Sequence, residues 1–380
     1  LKPLATTALS AVLTLGVAGA ATAEIRIGSS LSTTGPASFL GDPEAKTLEM
    51  MVEEINAAGG IDGEMIELIV YDDGADPNKA RTFATRLIED DEVVAIVGGS
   101  TTGATMAIMS VAEDNEVPFI SFAGSIKIID PVNPWVFKTP HTDRMACQKI
   151  FTDMAARGFT KVGMISGTGG FGASMQAQCK DVAPDFGIEI VADETYGPKD
   201  ADMTPQLTKI RNTEGVQAVL NPGFGQGPAI VTRNYKQLAI DLPFYQSHGV
   251  ASDAFIDLAG ADAAEGVRLP GTALLIADQL GEDDPQREVV QAYQTAYEAR
   301  YGMEVSTFGG YAHDGLMLMV DAIRRAGSTE PEAIRDALEA TDGLVGTTGT
   351  YTFTPEDHLG LDLSAFRLLE IGNGGWVPVE

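Results

Sequence analysis

Short apolar runs alternate with longer amphipathic stretches along most of this chain, and that alternation restricts the fold more than any other feature. An apolar run at 25–31 is followed by a helical pattern in which Leu48, Met51, Val52 and Ile55 recur at i, i+3, i+4 and i+7. Asp42-Pro43 marks its start, a capping Asp with Pro at the first helical position, and Gly59-Gly60 its end. Strands are then expected at 66–71, 93–98 and 118–123. Helices fall between them at 77–90, capped by Asp76-Pro77, and at about 102–115. The pattern restarts after 138–143, with strands at 162–166, 188–192, 218–221, 244–247 and 267–269 and helices between them, one beginning near Thr204-Pro205. Helices near 285–300, 308–326 and 331–340 come last, with short strands at 351–353 and 366–371. Such alternation predicts an α/β chain whose parallel sheets are covered on both faces. Two such units with no Ser/Gly linker between them predict two directly joined lobes.

In open α/β sheets, ligands sit beyond the carboxyl ends of the strands. In the first unit those ends read Ser29-Ser30-Leu31-Ser32-Thr33-Thr34-Gly35, Gly98-Gly99-Ser100-Thr101-Thr102-Gly103 and Ser121-Phe122-Ala123-Gly124-Ser125. In the second they read Gly167-Thr168-Gly169-Gly170-Phe171-Gly172, Asn221-Pro222-Gly223-Phe224-Gly225 and Ser247-His248-Gly249. Hydroxyls and free N–H groups come from one unit, aromatic rings and an imidazole from the other. This predicts a cleft between lobes for a small ligand with an anionic end and an apolar or aromatic body.

Several function classes are disfavoured. With 25 basic and 54 acidic residues the net charge is −29, a field that repels a phosphate backbone, so nucleic acid is not an expected partner. His141, His248, His313 and His358 lie far apart and have no metal-ligand spacing, and no cofactor is expected. Gly167-x-Gly169-x-x-Gly172, with Glu189 and Asp193 about 20 residues on, has the form of a dinucleotide turn. It also reads as a plain strand-to-helix turn, or as a means of projecting Phe171 into the cleft. No Gly-x-Ser-x-Gly elbow occurs. Asp72-Asp73 and Asp283-Asp284 read as turns and caps, and His313-Asp314 as helix packing rather than a dyad. An enzyme is not the expected reading.

Residues 1–23 carry Lys2, an apolar stretch over 8–21 and Ala21-Thr22-Ala23, the pattern of a secretory signal cleaved after Ala23. A membrane anchor is the alternative, but no stop-transfer charges follow. Export would spare the protein from holding a cytosolic dinucleotide. It would also place Cys147 and Cys179 where a disulfide can form, although the sequence does not give their separation.

One set of motifs carries a family resemblance over the chain from Glu24 nearly to Glu380. They are Thr34-Gly35-Pro36 with Gly41-Asp42, Glu53-Glu54-Ile55-Asn56-Ala57-Ala58-Gly59-Gly60-Ile61, Tyr71-Asp72-Asp73 with Asp76-Pro77, and Glu265-Gly266. The chain resembles the type I periplasmic solute-binding proteins of the leucine–isoleucine–valine branch, which deliver ligand to an ABC transporter. The resemblance implies two Rossmann-like lobes joined by three crossovers, near 139–143, 270–273 and 361–365. Lobe 1 would hold 24–140 plus 273–362, and lobe 2 would hold 141–272 plus 363–380. A monomer that closes like a hinge around its ligand and docks on permease subunits is implied.

The family's carboxylate contacts fall on Thr102, Ala123 and Ser125, and the wider cleft set on Leu40, Ser100, Thr101, Gly124, Phe171, Phe224, His248 and Phe308. The departures are informative. Amino-acid binders place a carboxylate where His248 stands, and tyrosines where Leu40, Phe171 and Phe224 stand. A neutral imidazole cannot replace a full negative charge opposite an ammonium. The resemblance thus points to a small aromatic carboxylate, with Phe171 and Phe224 sandwiching its ring, Thr102 and Ser125 on the carboxylate, and His248 on a ring substituent. Residues 138–144 and 221–227 also resemble the branch that takes up benzoate- or cinnamate-type acids. Arg144 and Lys127 are the cations considered for the ligand's charge. A branched-chain amino acid or an amide is the alternative ligand, and presentation to a membrane receptor the alternative role.

Overall fold

The structure, a computed structural model, describes residues 24–379. The signal-segment reading of 1–23 lies outside the described residues. The first sheet is built from β1 (Glu24–Leu31), β2 (Met65–Asp72), β3 (Ala95–Gly98), β4 (Phe119–Ser121) and β5 (Val136–Lys138), in the order β2-β1-β3-β4-β5 and wholly parallel. Helices α1 (Ser38–Ala57), α2 (Pro77–Glu89) and α3 (Thr102–Asp114) connect its strands. β3 and β4 are buried throughout, as expected for strands covered on both faces.

After α4 (Asp143–Ala156) the chain builds a second sheet. Its parallel part comprises β6 (Lys161–Gly167), β7 (Glu189–Tyr196), β8 (Ala218–Asn221), β9 (Phe244–Gln246) and β10 (Arg268–Gly271). Helices α5 (Gly170–Val182), α6 (Thr204–Asn212), α7 (Gln226–Gln237), α8 (Asp253–Ala259) and α9 (Ala261–Ala264) lie between these strands. The chain then forms α10 (Arg287–Tyr301), α11 (Thr307–Ala326), α12 (Pro331–Glu339) and the hairpin β11 (Asp342–Val345) and β12 (Thr350–Thr352). It returns to the second sheet as β13 (Arg367–Gly372) and β14 (Gly375–Pro378), both antiparallel. The second sheet runs β14-β13-β10-β9-β8-β6-β7. The chain therefore passes between sheets after Lys138, after Gly271 and before Arg367. Pro270 and Gly271 pair with β13 before the second passage.

Several elements differ from the sequence reading. α1 begins at Ser38 and holds Pro43 inside it, where Asp42-Pro43 was expected to start the helix. The extra turn is fixed by tertiary contact: Leu40 is buried, and at Gly41 a Cβ would fall 2.3 Å from the Ser32 carbonyl. The Pro43 carbonyl is taken up by Thr47 Oγ1 at 2.7 Å. β5, β11 and β14 were not foreseen. Each is too short to show a period, and β5 exists because β4 offers it an edge, with Phe119 opposite Val136 and Ser121 opposite Lys138.

Cys147 on α4 and Cys179 on α5 form a disulfide, with Cα atoms 5.1 Å apart, in a core with Phe151, Met164 and Met175. His313-Asp314 lies buried on α11. Asp314 accepts from the Thr347 and Thr348 backbone N–H groups and from Tyr351, tying α11 to the β11–β12 hairpin.

Candidate ligand-binding cleft

A cavity of about 40 Å³ lies between the strand ends of the two sheets. Leu40, Ser100, Thr101, Thr102, Ala123 and Gly124 line it from the first sheet's loops and α1. Phe171, Phe224 and His248 line it from the second, and Phe308 from the start of α11. Phe122, Pro140, Gly249 and Tyr311 complete the wall and were not foreseen. A larger recess, lined by Pro36, Pro77, Gly169 and Gly225 among others, meets the cavity at Thr101, Thr102, Phe171 and Phe224.

The polar end is built by α3. Gly98 and Gly99 have φ of 153° and 71°, and this glycine turn carries the chain from β3 into the helix. Thr101 caps α3 by accepting from the Ala104 N–H at 3.2 Å. Thr102 follows as the first helical residue, and its buried Oγ1 has no partner. Free N–H groups of the first turn and the helix dipole present partial positive charge at this wall. The Tyr311 hydroxyl is likewise buried without a partner.

The lobes meet closely around the cavity. The Asp143 N–H donates to the Gly124 carbonyl at 2.8 Å, and Phe39 and Phe224 ring centroids are 6.3 Å apart. Phe171 and His248 are 6% and 3% exposed, so both are shut away from solvent. Gly172 lets α5 turn back tightly, since a Cβ there would stand 2.2 Å from the Gly167 carbonyl oxygen. The Gly-rich turn thus sets Phe171 in the wall.

Residues 24–375 match the family described as periplasmic binding protein, which covers nearly all of the described chain. The chain belongs to that family. The protein is similar to a leucine-, isoleucine-, valine-, threonine- and alanine-binding protein of Pseudomonas aeruginosa, 27% identical over 89% of this chain and 86% of the relative. A Leu/Ile/Val-binding protein homolog of Brucella melitensis is 26% identical over the full length of both. Among solved structures, an extracellular ligand-binding receptor of Rhodopseudomonas palustris is 30% identical, with a TM-score of 0.87 over 94% of this chain and 100% of that one. A branched-chain amino acid transporter substrate-binding protein of Streptococcus pneumoniae, solved with isoleucine, is 25% identical with a TM-score of 0.81 over 94% of this chain and 100% of that one. This is a periplasmic solute-binding protein of the leucine–isoleucine–valine ABC transporter family. Members are exported to the periplasm, bind small molecules and work with permease components.

In this periplasmic binding protein the cavity is backed by buried titratable groups. Glu44 on α1 is fully buried behind Ser100 and hydrogen-bonded to its hydroxyl; Glu44 Oε1 has no partner. Burial pushes Glu44 up to about 8, with Asp73 adding to the rise against the Ser100 hydrogen bond. Burial lowers His248 to about 3, helped by Lys138, so its imidazole is neutral with both ring nitrogens unpartnered. His141 is driven down by burial, then by His248 and Lys138, and stacks on Phe366 at 3.6 Å. Lys138 Nζ reaches the Ser125 and His141 carbonyls at 3.4 Å, and burial lowers it to about 7 against the pull of Asp143.

Three expected roles need correction. Ser125 does not line the cavity: its Oγ is 2.7 Å from Ser174 Oγ, a contact joining the two lobes. Phe171 and Phe224 cannot sandwich a ring, because they pack edge to face on each other at 6.1 Å and 84°. Arg144 is engaged by Gln178 and Asp181 at 2.8 and 2.6 Å, away from the cavity, and Lys127 does not line it. The buried cation near the site is Lys138. Its Lys-Thr-Pro-His sequence was legible, but nothing local shows that this lysine turns inward.

Proposed function

We propose that this protein captures a small aromatic carboxylate between its lobes and presents it to an ABC importer. One observation carries the reading: among the described residues, none of the 14 that line the cavity is an Asp or Glu. An α-ammonium buried there would be stripped of water with no counter-charge, which costs several kcal/mol. A carboxylate would instead meet Thr102 Oγ1 and the N-terminus of α3. The remaining wall is mostly Leu40, Phe122, Phe171, Phe224 and Phe308, which suits a ring. The neutral His248 offers one donor and one acceptor to a ring substituent.

The names of the relatives favour the second reading, a branched-chain amino acid. Glu44, hydrogen-bonded to the wall residue Ser100, is the carboxylate that would have to serve it. A monomer with lobe 1 at 24–140 plus 273–362 and lobe 2 at 141–272 plus 363–380 fits either ligand. A thermal-shift screen of benzoates, cinnamates, aliphatic carboxylates, branched-chain amino acids and amides separates them. Ligand at 100 times its Kd adds about 2.7 kcal/mol to stability. Stabilisation by benzoate or cinnamate but not leucine is expected; stabilisation by leucine or valine alone would overturn the ligand and leave the transport role standing.

A further inference from the structure

Ser100 lines the cavity and has a limited set of hydrogen-bonding positions. Its Oγ accepts from the Ser32 N–H at 3.0 Å, which occupies one lone pair. One lone pair and one proton remain, and Glu44 Oε2 takes one of the two. If Glu44 is ionised, it accepts the Ser100 proton and the hydroxyl faces the cavity as an acceptor. If Glu44 is protonated, it donates to Ser100 and frees the hydroxyl proton for the cavity. The geometry favours the second state, since Glu44 Oε1 is buried without a donor, a heavy penalty for an ionised oxygen.

We propose that Glu44 acts as a protonated positioning residue that turns Ser100 into a hydrogen-bond donor toward the ligand, so that its protonation selects an anionic ligand over a cationic one. This rests on the carboxylate reading above and explains how a carboxyl so near the cleft can tolerate an anion.

The surroundings of Glu44 support the assignment. Asp73, just past the end of the first sheet's second strand, accepts from Ser30, Ser32 and the Ala75 N–H, and its proximity favours the protonated acid of Glu44. On α1 itself, Asp42 and Lys46 pair with each other at 2.6 Å. From α11 and α10, which pack nearby, Asp314 is bound by Thr347, Thr348 and Tyr351, His313 bonds Asp314, and Tyr293 bonds Thr47. Tyr311 stays protonated, raised by burial. None of these hydrogen-bonds Glu44.

Benzoate and benzamide are the probes, because only the amide can donate to an accepting Ser100. In the unmodified protein the ratio of benzoate to benzamide affinity should fall about tenfold per pH unit above about 8, as Glu44 ionises. Glu44→Gln, whose amide still donates to Ser100, should keep benzoate binding and remove that phase, leaving any step near 7 from Lys138. The carboxyl 13C shift of Glu44, assigned by its loss in Glu44→Gln, should titrate near 8 and move upward with benzoate. An unchanged ratio profile in Glu44→Gln, or a Glu44 midpoint in the ordinary carboxylate range, would overturn the role of Glu44 alone. Benzoate failing to bind at any pH would instead overturn the ligand reading beneath it.

Discussion

Gly124 and His248 stand face to face across the closed cleft: a Cβ on Gly124 would lie 2.7 Å from His248 Nε2 and 3.0 Å from Phe171 Cε2. Gly124 lies in the loop after β4, and His248 follows β9, so the contact spans the two sheets' strand ends. Gly124→Ala should therefore act on closure rather than on either lobe's fold. Overpacking typically costs about 1–3 kcal/mol, so ligand affinity should fall roughly 5- to 150-fold while the Tm of the ligand-free protein changes little. Calorimetric titration and small-angle scattering with and without ligand check both halves.

Thr102 and Ser125 look alike in sequence but should behave differently. Thr102 Oγ1 is buried at the cavity and unpartnered, whereas Ser125 Oγ already meets Ser174 at 2.7 Å. Thr102→Val should weaken a carboxylate ligand about 10- to 150-fold, the range of one hydrogen bond to a charged group. Ser125→Ala should leave affinity within about twofold and cost about 1 kcal/mol of stability. Equal affinity losses in the two variants would refute the distinction.

His248 is held neutral, at about 3 against an ordinary 6.5. Two consequences can be measured. His248→Ala should weaken 4-hydroxybenzoate more than benzoate, by about fivefold, since only the phenol uses a ring nitrogen. As pH falls from about 6.5 toward about 3, the unfolded chain takes up a proton that the folded imidazole refuses. Stability from this group is therefore complete above 6.5 and lost on acidification. His248→Asn should make Tm less sensitive to pH across that window, as read by scanning calorimetry.

The Cys147–Cys179 disulfide closes a loop with a sequence separation of 32. Chain entropy for such a loop corresponds to about 3–4 kcal/mol. At about 2–4 °C per kcal/mol for a domain of 150–250 residues, Cys147→Ser with Cys179→Ser should lower Tm by roughly 10 °C. Reduction of the unmodified protein should reproduce the shift.

Alternation of period announced the parallel sheets because each strand–helix step is local and repeats along the chain. The cleft was legible for the same reason: Thr102, Ala123, Gly124, Phe171, Phe224 and His248 all follow strand ends, and parallel topology gathers such ends on one side. β5 was illegible because three residues carry no period, and pairing with β4 makes it a strand. The early start of α1 depended on Gly41 meeting Ser32, a contact between segments that the helix pattern cannot register.

The α/β class, the two units and the chemistry available at their strand ends were readable before any fold was known, since these follow from periodicity and residue type. The tertiary structure alone decided which way those groups face. It turned Ser125 to Ser174, set Phe171 edge-on to Phe224, buried Lys138 beneath His141, and put Glu44 behind Ser100. Side-chain direction and desolvation depend on neighbours distant in the chain, and these fix whether a group is charged, donating or out of reach.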